Sequence, residues 1–586
     1  MLYKETGDTK ILDRKVLGKL FKFIKPYQGI FYLLIILTFA TGVLAPSRPY
    51  MVQRTLDRYV AVGDYQGLAS MTTWMLVLLV IQMMVQYYFT YLSDWLGQHV
   101  VRDLRIHLYA YTTQLRTSFY NKTPVGRLVT RNISDTEALS DVFSQGLAAL
   151  LGDLLQLLAI AAFMVYIDWQ LALLSLATLP LLFASTYLFK EKLKDAYKKV
   201  RDAVSKLNSF VQSRVTGMNI IHIFNREEQE FSNFSTLNET HRKAHNKSVL
   251  YYSCYFPSLE IMGAIGTSLL VWYGARGVVQ GQVTLGKLTA FLMYLKMFFR
   301  PLYQLADRFN TLQMGIVSTD RIIKLLENNE QVENRGTYRP ERLQGAVAFE
   351  NICFAYEKGD YVLKDISFHI QAKQSLAIVG ATGAGKSTII NLLERFYDAQ
   401  QGVISIDGVS ILDYDIQALR QNIGLVLQDV FLFSASIYDN ITLGNKAIPQ
   451  GRVIEAAQLV GIHDFIQQLP GGYAYNVRER GMTLSMGQRQ LLAFVRVLVY
   501  NPCILILDEA TASMDTETEA LVQKATAQLL RDRTAILIAH RLATIQHADK
   551  ILVLDNGKIK EEGTHERLLA QNGYYAELYN VQYQIA

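Results

Sequence analysis

Six long apolar stretches fill the first half of this 586-residue chain, near residues 30–50, 73–95, 146–167, 169–190, 251–275 and 286–308. About 20 apolar residues cross a bilayer as a helix. Within hydrocarbon the backbone must satisfy its own polar groups, which leaves helices or closed barrels. The pattern therefore predicts an all-α, six-helix membrane domain over residues 29–325. Little more than Asp168-Trp169 separates the third and fourth stretches, so these form a hairpin. Two connections, 96–145 and 191–250, are long and basic, with Lys190, Lys192, Lys194, Lys198, Lys199, Arg201 and Lys206 at and after the start of the second. Both read as membrane helices continuing into the cytosol. Pro124 and Gly126 turn the first near 121–126, and Gly217 turns the second near 216–219. The short connections carry few basic residues, an asymmetry that places the long ones and both termini in the cytoplasm. Residues 1–28 read as a basic amphipathic segment rather than a signal peptide, because no small-residue cleavage site follows the first apolar run.

A net charge of +6 is modest for this length, and no concentrated basic stripe or reader motif argues for nucleic-acid binding. Cys254, Cys353 and Cys503 lie far apart without metal-ligand spacing. They read as small buried hydrophobes, with no disulfide framework and no zinc site.

Residues 309–345 are polar and read as mostly helical, with a linker at 326–345. Beyond Gly345 short strands alternate with helices, the signature of an α/β domain over 346–586. Strands are expected at 346–350, 363–370, 375–379, 403–406, 423–427, 504–507, 534–538 and 551–554. Asp555-Asn556-Gly557 marks a hairpin. The third strand runs into Gly380-Ala381-Thr382-Gly383-Ala384-Gly385-Lys386-Ser387-Thr388, a G-x-x-x-x-G-K-[ST] loop that opens a helix. Small residues let backbone N–H groups converge on phosphates, and the helix start adds positive potential. Lys386 is expected to reach the β- and γ-phosphates of a nucleoside triphosphate and Ser387 to ligand Mg²⁺. About 120 residues later, Ile504-Leu505-Ile506-Leu507-Asp508-Glu509 reads as a sheet-centre strand ending in two acids. Asp508 is the Mg²⁺ partner, and Glu509 is placed to orient or deprotonate the attacking water.

Between them, Leu484-Ser485-Met486-Gly487-Gln488 closely resembles the Leu-Ser-Gly-Gly-Gln signature of the ATP-binding cassette (ABC) family. Other elements follow in the family's order. Tyr356 matches the aromatic that stacks on adenine, and Gln428 the glutamine that approaches Mg²⁺ and links the site to the membrane part. Val477-Arg478-Glu479-Arg480-Gly481 resembles the exporter-specific segment, Ser513-Met514-Asp515 the dimer-contact loop, and His540 the histidine on the γ-phosphate. The resemblance spans the whole chain and implies an exporter half-transporter of the multidrug or lipid type. It implies catalytic roles for Glu509, His540 and Gln428, and Ser387, Gln428 and Asp508 around Mg²⁺. It also implies a head-to-tail dimer with ATP sandwiched between one phosphate loop and the partner's Ser485, Gly487 and Gln488. Two departures stand out: Met486 and Arg478 each replace a glycine. They favour a heterodimer with one weakened ATP site, a homodimer being the alternative. A soluble ABC ATPase is excluded by the six stretches. Importers usually keep the two halves on separate chains.

The cargo is legible only in outline, as an amphipathic drug, lipid or peptide. Glu260, Asp153 and Arg48 are the charged residues singled out within the stretches, where charge usually faces a cavity or partner. Tyr251, Tyr252, Tyr255 and Phe256 lie near Glu260 and could line a pocket for cationic or amphipathic compounds. An interhelical hydrogen bond is an equal reading of Glu260. Arg489 and Arg496 read as ordinary helix charges.

Overall fold

The structure is a computed structural model that describes residues 23–328, 330–332, 334–357, 359–508, 516–538 and 545–583. It divides into two compact units. One holds residues 125–328 with everything before 114; the other holds residues 114–124 with everything after 328.

The first unit is helical. Its principal helices are α1 (Gln28–Arg54), α2 (Tyr65–Thr113), α4 (Ala148–Ile167), α5 (Trp169–Leu176), α6 (Leu179–Thr216), α7 (Met218–Ile223), α8 (Glu227–Val279) and α9 (Leu285–Leu326); α3 (Thr117–Lys122) belongs to the second unit. All six apolar stretches are helical. Among the described residues, four continuous helical runs are long and apolar enough to cross a membrane: Lys25–Val60, Tyr65–Thr113, Val125–Ile167 and Glu227–Val279. The other two expected spans fall short for separate reasons. The fourth is represented among the described residues by a shorter apolar run, Trp169–Leu181, and Lys296 and Arg300 interrupt the apolar run of α9. Asp168 caps α5 by accepting from the backbone N–H of Gln170 at 3.2 Å and of Leu171 at 3.3 Å, which makes the tight hairpin. The same carboxylate pairs with Lys287 at 3.1 Å.

Apolar surface here is turned outward. The most hydrophobic window of α2 buries none of its residues, and Trp74, Leu76, Leu79 and Val80 are exposed. Such a surface suits hydrocarbon rather than water. Inside, Ile160, Met164, Leu171, Leu270, Phe291, Tyr294 and Leu295 pack together. Close approach of α1 to α4 depends on Gly42, where a Cβ would stand 3.2 Å from Leu155 Cβ.

The second unit carries two sheets. An antiparallel sheet has the order β2-β1-β4-β5, from β1 (Val347–Phe354), β2 (Leu363–Ile370), β4 (Gln401–Ile406) and β5 (Val409–Ser410). A second sheet runs β10-β9-β3-β8-β7-β6, from β3 (Ser375–Gly380), β6 (Ile423–Val426), β7 (Ile504–Asp508), β8 (Thr534–Ile538), β9 (Lys550–Asp555) and β10 (Lys558–Gly563). Its strands from β6 to β9 are parallel, and the central ones are buried almost throughout. Covered parallel strands read as continuous apolar runs, which makes them visible in the sequence. Strands β5 and β10 are not visible there. The first has two residues, and the second alternates exposed Lys and Glu along an edge. Asn556 and Gly557 both take positive φ at the expected hairpin.

Two further expectations need correction. Within 309–345, expected to be mostly helical, the helix that holds the last span continues to Leu326 and the described residues beyond it are not helical. The cysteines are not uniformly buried: Cys254 is exposed, Cys353 is half-buried, Cys503 is half-buried against the sheet core, and all are free.

Candidate nucleotide site

The phosphate loop leaves the carboxyl edge of the parallel sheet, where such folds bind ligands. Register fixes the neighbours. Ile378 of β3 lies opposite Ile538 of β8, and Ile538 opposite Asp508 of β7. The carboxyl ends of β3, β8 and β7 therefore lie side by side. Val426 pairs with Leu507, so Gln428 leaves the same edge one strand further along. Glu509, Ser513, Met514, Asp515 and His540 lie outside the described residues.

The loop admits little but glycine at two places. A Cβ on Gly380 would stand 2.2 Å from the Leu554 carbonyl oxygen, and one on Gly385 would stand 2.7 Å from Leu363 Cδ2. Both residues, with Gly383, have positive φ. Ala381, Thr382, Gly383 and Ser387 are exposed along the rim, while Ala384, Gly385 and Thr388 are buried. Gly385 precedes helix α10 (Lys386–Leu393), whose unpaired N-terminal amides complete the cradle. Lys386 is buried and donates from Nζ to the carbonyls of Gly380 at 2.7 Å and Ala381 at 3.0 Å. Burial lowers its affinity for the proton, and Asp508 opposes that shift. These features fit a triphosphate: a strand-to-helix loop lined with donors, a charged lysine, and a carboxylate on a nearby strand end.

Tyr356 follows β1. Its hydroxyl donates to Thr388 Oγ1 at 3.2 Å and accepts from Asn391 Nδ2 at 3.1 Å. The ring stands edge-on to Phe354 at 4.9 Å and Tyr397 at 5.0 Å, with an exposed flank open to a planar group. A cavity of about 420 Å³ opens beside it, lined in part by Arg116, Asn121, Lys122 and Asp398. Arg116 pairs with Asp398 at 3.0 Å, and Asn121 donates to the Tyr397 hydroxyl at 2.9 Å. Sequence reasoning missed that 114–124 joins this unit, because no local periodicity encodes such a contact.

Two further helices bear on the site, α11 (Ile437–Thr442) and α12 (Met486–Tyr500), and the signature opens the second. Ser485 and Gln488 form a reciprocal cap: the Gln488 N–H donates to Ser485 Oγ at 3.2 Å and the Ser485 N–H to Gln488 Oε1 at 2.9 Å. Ser485 is exposed and Gly487 buried. Met486 is half-buried and lines a cavity of about 270 Å³ with Gln428, Asp429, Val430, Phe431, Arg480 and Arg489 of its own chain. Arg478 has φ +57 and ψ −171, a conformation suited to the glycine it replaces. Arg496 is no ordinary surface charge: it is largely buried, and its Nε donates to the Asn440 carbonyl of α11 at 3.0 Å.

Asp153, expected to face a cavity or a partner, sits 3.6 Å from Arg308. Glu260 and Arg48 are exposed. Tyr255 packs toward the membrane-half core and against Phe189 at 5.7 Å, while Tyr252 is exposed.

Comparison with known families matches residues 31–302 to the ABC transporter transmembrane region and residues 363–512 to the ABC transporter family. The chain is 37% identical over 577 residues to the uncharacterized ABC transporter ATP-binding protein YknV of Bacillus subtilis (strain 168), covering 97% of this chain and 94% of the relative. It is 37% identical over 508 residues to the probable multidrug resistance ABC transporter ATP-binding/permease protein YheH of the same organism, covering 86% and 75%. Identity to the ATP-dependent lipid A-core flippase of Syntrophus aciditrophicus (strain SB) is 33% over 574 residues, covering 97% and 95%.

Proposed function

The chain belongs to the ABC transporter family, and from that membership we propose that it is one half of a dimeric exporter moving an amphipathic substrate out of the cytoplasm. It is a multi-pass membrane protein with an ATP-binding domain, an ATPase coupled to transport. The observation that carries the reading is the phosphate loop beside Asp508 in a chain whose other half is apolar membrane helices.

Each role follows from chemistry. Lys386 neutralises phosphate charge, and the α10 amides bind phosphate oxygens. Ser387, Asp508 and Gln428 would hold Mg²⁺, which supplies positive charge at the phosphates. Glu509 orients or deprotonates the attacking water, His540 contacts the γ-phosphate, and Tyr356 stacks on adenine. Residues 1–28, 29–325, 326–345 and 346–586 serve as amphipathic segment, membrane domain, linker and nucleotide domain. The membrane is the cytoplasmic membrane, with the nucleotide domain and both termini inside.

The partner is a second half-transporter, a heterodimer being favoured. Met486 and Arg478 both stand where the family has glycine, and Arg478 keeps a glycine-like φ at a cost of about 1–3 kcal/mol. The partner is expected to carry an intact signature and a residue other than Glu after its Mg²⁺-binding Asp. Vigorous ATP hydrolysis by this chain purified alone would overturn the heterodimer. The relatives' names cover two of the cargo classes, a drug and a lipid.

Inverted membrane vesicles containing the transporter test the function. ATP-dependent accumulation of a dye or lipid is expected, and Glu509→Gln abolishes it while leaving ATP bound. Accumulation unaffected by Glu509→Gln would remove the catalytic assignment; no accumulation of any amphipath would remove the export reading.

A further inference from the structure

Helix α9 has two unlike faces. Phe291, Tyr294, Leu295 and Phe298 are buried in the membrane-half core. Lys296 and Arg300, one turn apart, are exposed within the stretch that reads as the sixth span. Two turns beyond Arg300, Arg308 lies 3.6 Å from Asp153, and Arg300 is also within electrostatic reach of that carboxylate. One acid thus answers two guanidinium groups. Among the described residues no carboxylate forms an ion pair with Lys296 or Arg300.

The other acids nearby do not cancel this charge. Asp307 follows Arg300 by seven residues, roughly 10 Å along the helix. Asp168 is taken by Lys287, and Asp57 accepts from Thr284 Oγ1 at 2.7 Å and from the Gly286 N–H at 2.9 Å. Glu260 on α8 is exposed and pairs with neither cation among the described residues. Ammonium and guanidinium groups facing lipid tails are costly, so this face addresses water or a negatively charged group. Arginine offers a planar fork that matches carboxylate or phosphate, and lysine adds a point charge one turn away.

We propose that the Lys296–Arg300 face of α9 is the head-group site for an anionic amphipath, one bearing a carboxylate or phosphate on an apolar tail. The site rests on the export reading and gives it a substrate class. It stands against the reading of Glu260 as a site for cationic compounds, and Asp153 is already matched by Arg308.

The test is ATP-dependent accumulation, in proteoliposomes of the assembled transporter, of fluorescent dodecyl chains bearing phosphate, carboxylate, trimethylammonium or uncharged glycol heads. The phosphate and carboxylate heads are expected to saturate transport at concentrations at least tenfold below the trimethylammonium head. Their order separates a phosphate site from a carboxylate site. K296E/R300E is expected to invert the preference toward the cation, a gain that misfolding does not produce. Accumulation without head-group preference, or an anionic preference surviving K296E/R300E, overturns the site and leaves export standing. Failure to accumulate any of the four overturns both.

Discussion

The two halves of this chain bury apolar surface in opposite senses. In the nucleotide half the central strands β3, β7 and β8 are enclosed, and polar groups gather where those strands end. In the membrane half the most apolar window of α2 holds no buried residue, and charge is drawn to a few positions within α9 and α4. The first arrangement concentrates chemistry at an edge fixed by strand register. The second fixes helix number and leaves the cargo to isolated charges.

Substitutions can break this contrast. The largest expected effect is on chemistry: Asp508→Asn is expected to lower kcat for ATP about a thousandfold, roughly 4 kcal/mol of barrier. Steady-state ATP turnover measures it, and a loss under tenfold would displace Asp508 from the site. Next comes the sheet core. Ile506→Ala is expected to destabilise the nucleotide half by about 2–5 kcal/mol, read from its calorimetric transition.

Glu394 gives the third. It is buried, and burial raises its carboxyl from 4.5 to about 7, against the pull of Arg420. The folded state therefore holds that proton more tightly than the unfolded one. Its contribution is complete below about pH 4.5 and falls as pH rises through about 7. Glu394→Gln is expected to flatten this slope and to stabilise the protein at pH 8 by roughly 1–3 kcal/mol. An unchanged pH profile of the melting temperature would refute it. Ser485→Ala removes one side of the α12 cap and is expected to cost about 1 kcal/mol. Smallest is Leu79→Ala on exposed α2, within about 0.5 kcal/mol in nanodiscs. A cost near that of Ile506→Ala would show that α2 is covered in the assembled transporter.

The same contrast explains what could be read from the chain. Buried parallel strands are uniform apolar runs, and the loop from Gly380 to Thr388 has few alternatives, so both are visible locally. The roles of Thr388 and Arg496 are not, because each depends on neighbours far away in sequence: Thr388 is held under Tyr356, and Arg496 reaches Asn440.

Residues 114–124 lie early in the chain yet pack with the nucleotide unit through Leu115 opposite Gln331, Arg116 on Asp398 and Asn121 on Tyr397. The polypeptide therefore passes from one unit to the other three times, and no single cut excises the nucleotide half intact. A protease nick in 327–346 would leave the fragments tethered through a borrowed segment. A fragment beginning at residue 346 would lack a piece of its own surface beside Tyr356, leaving Asp398 without Arg116 and the Tyr397 hydroxyl without Asn121.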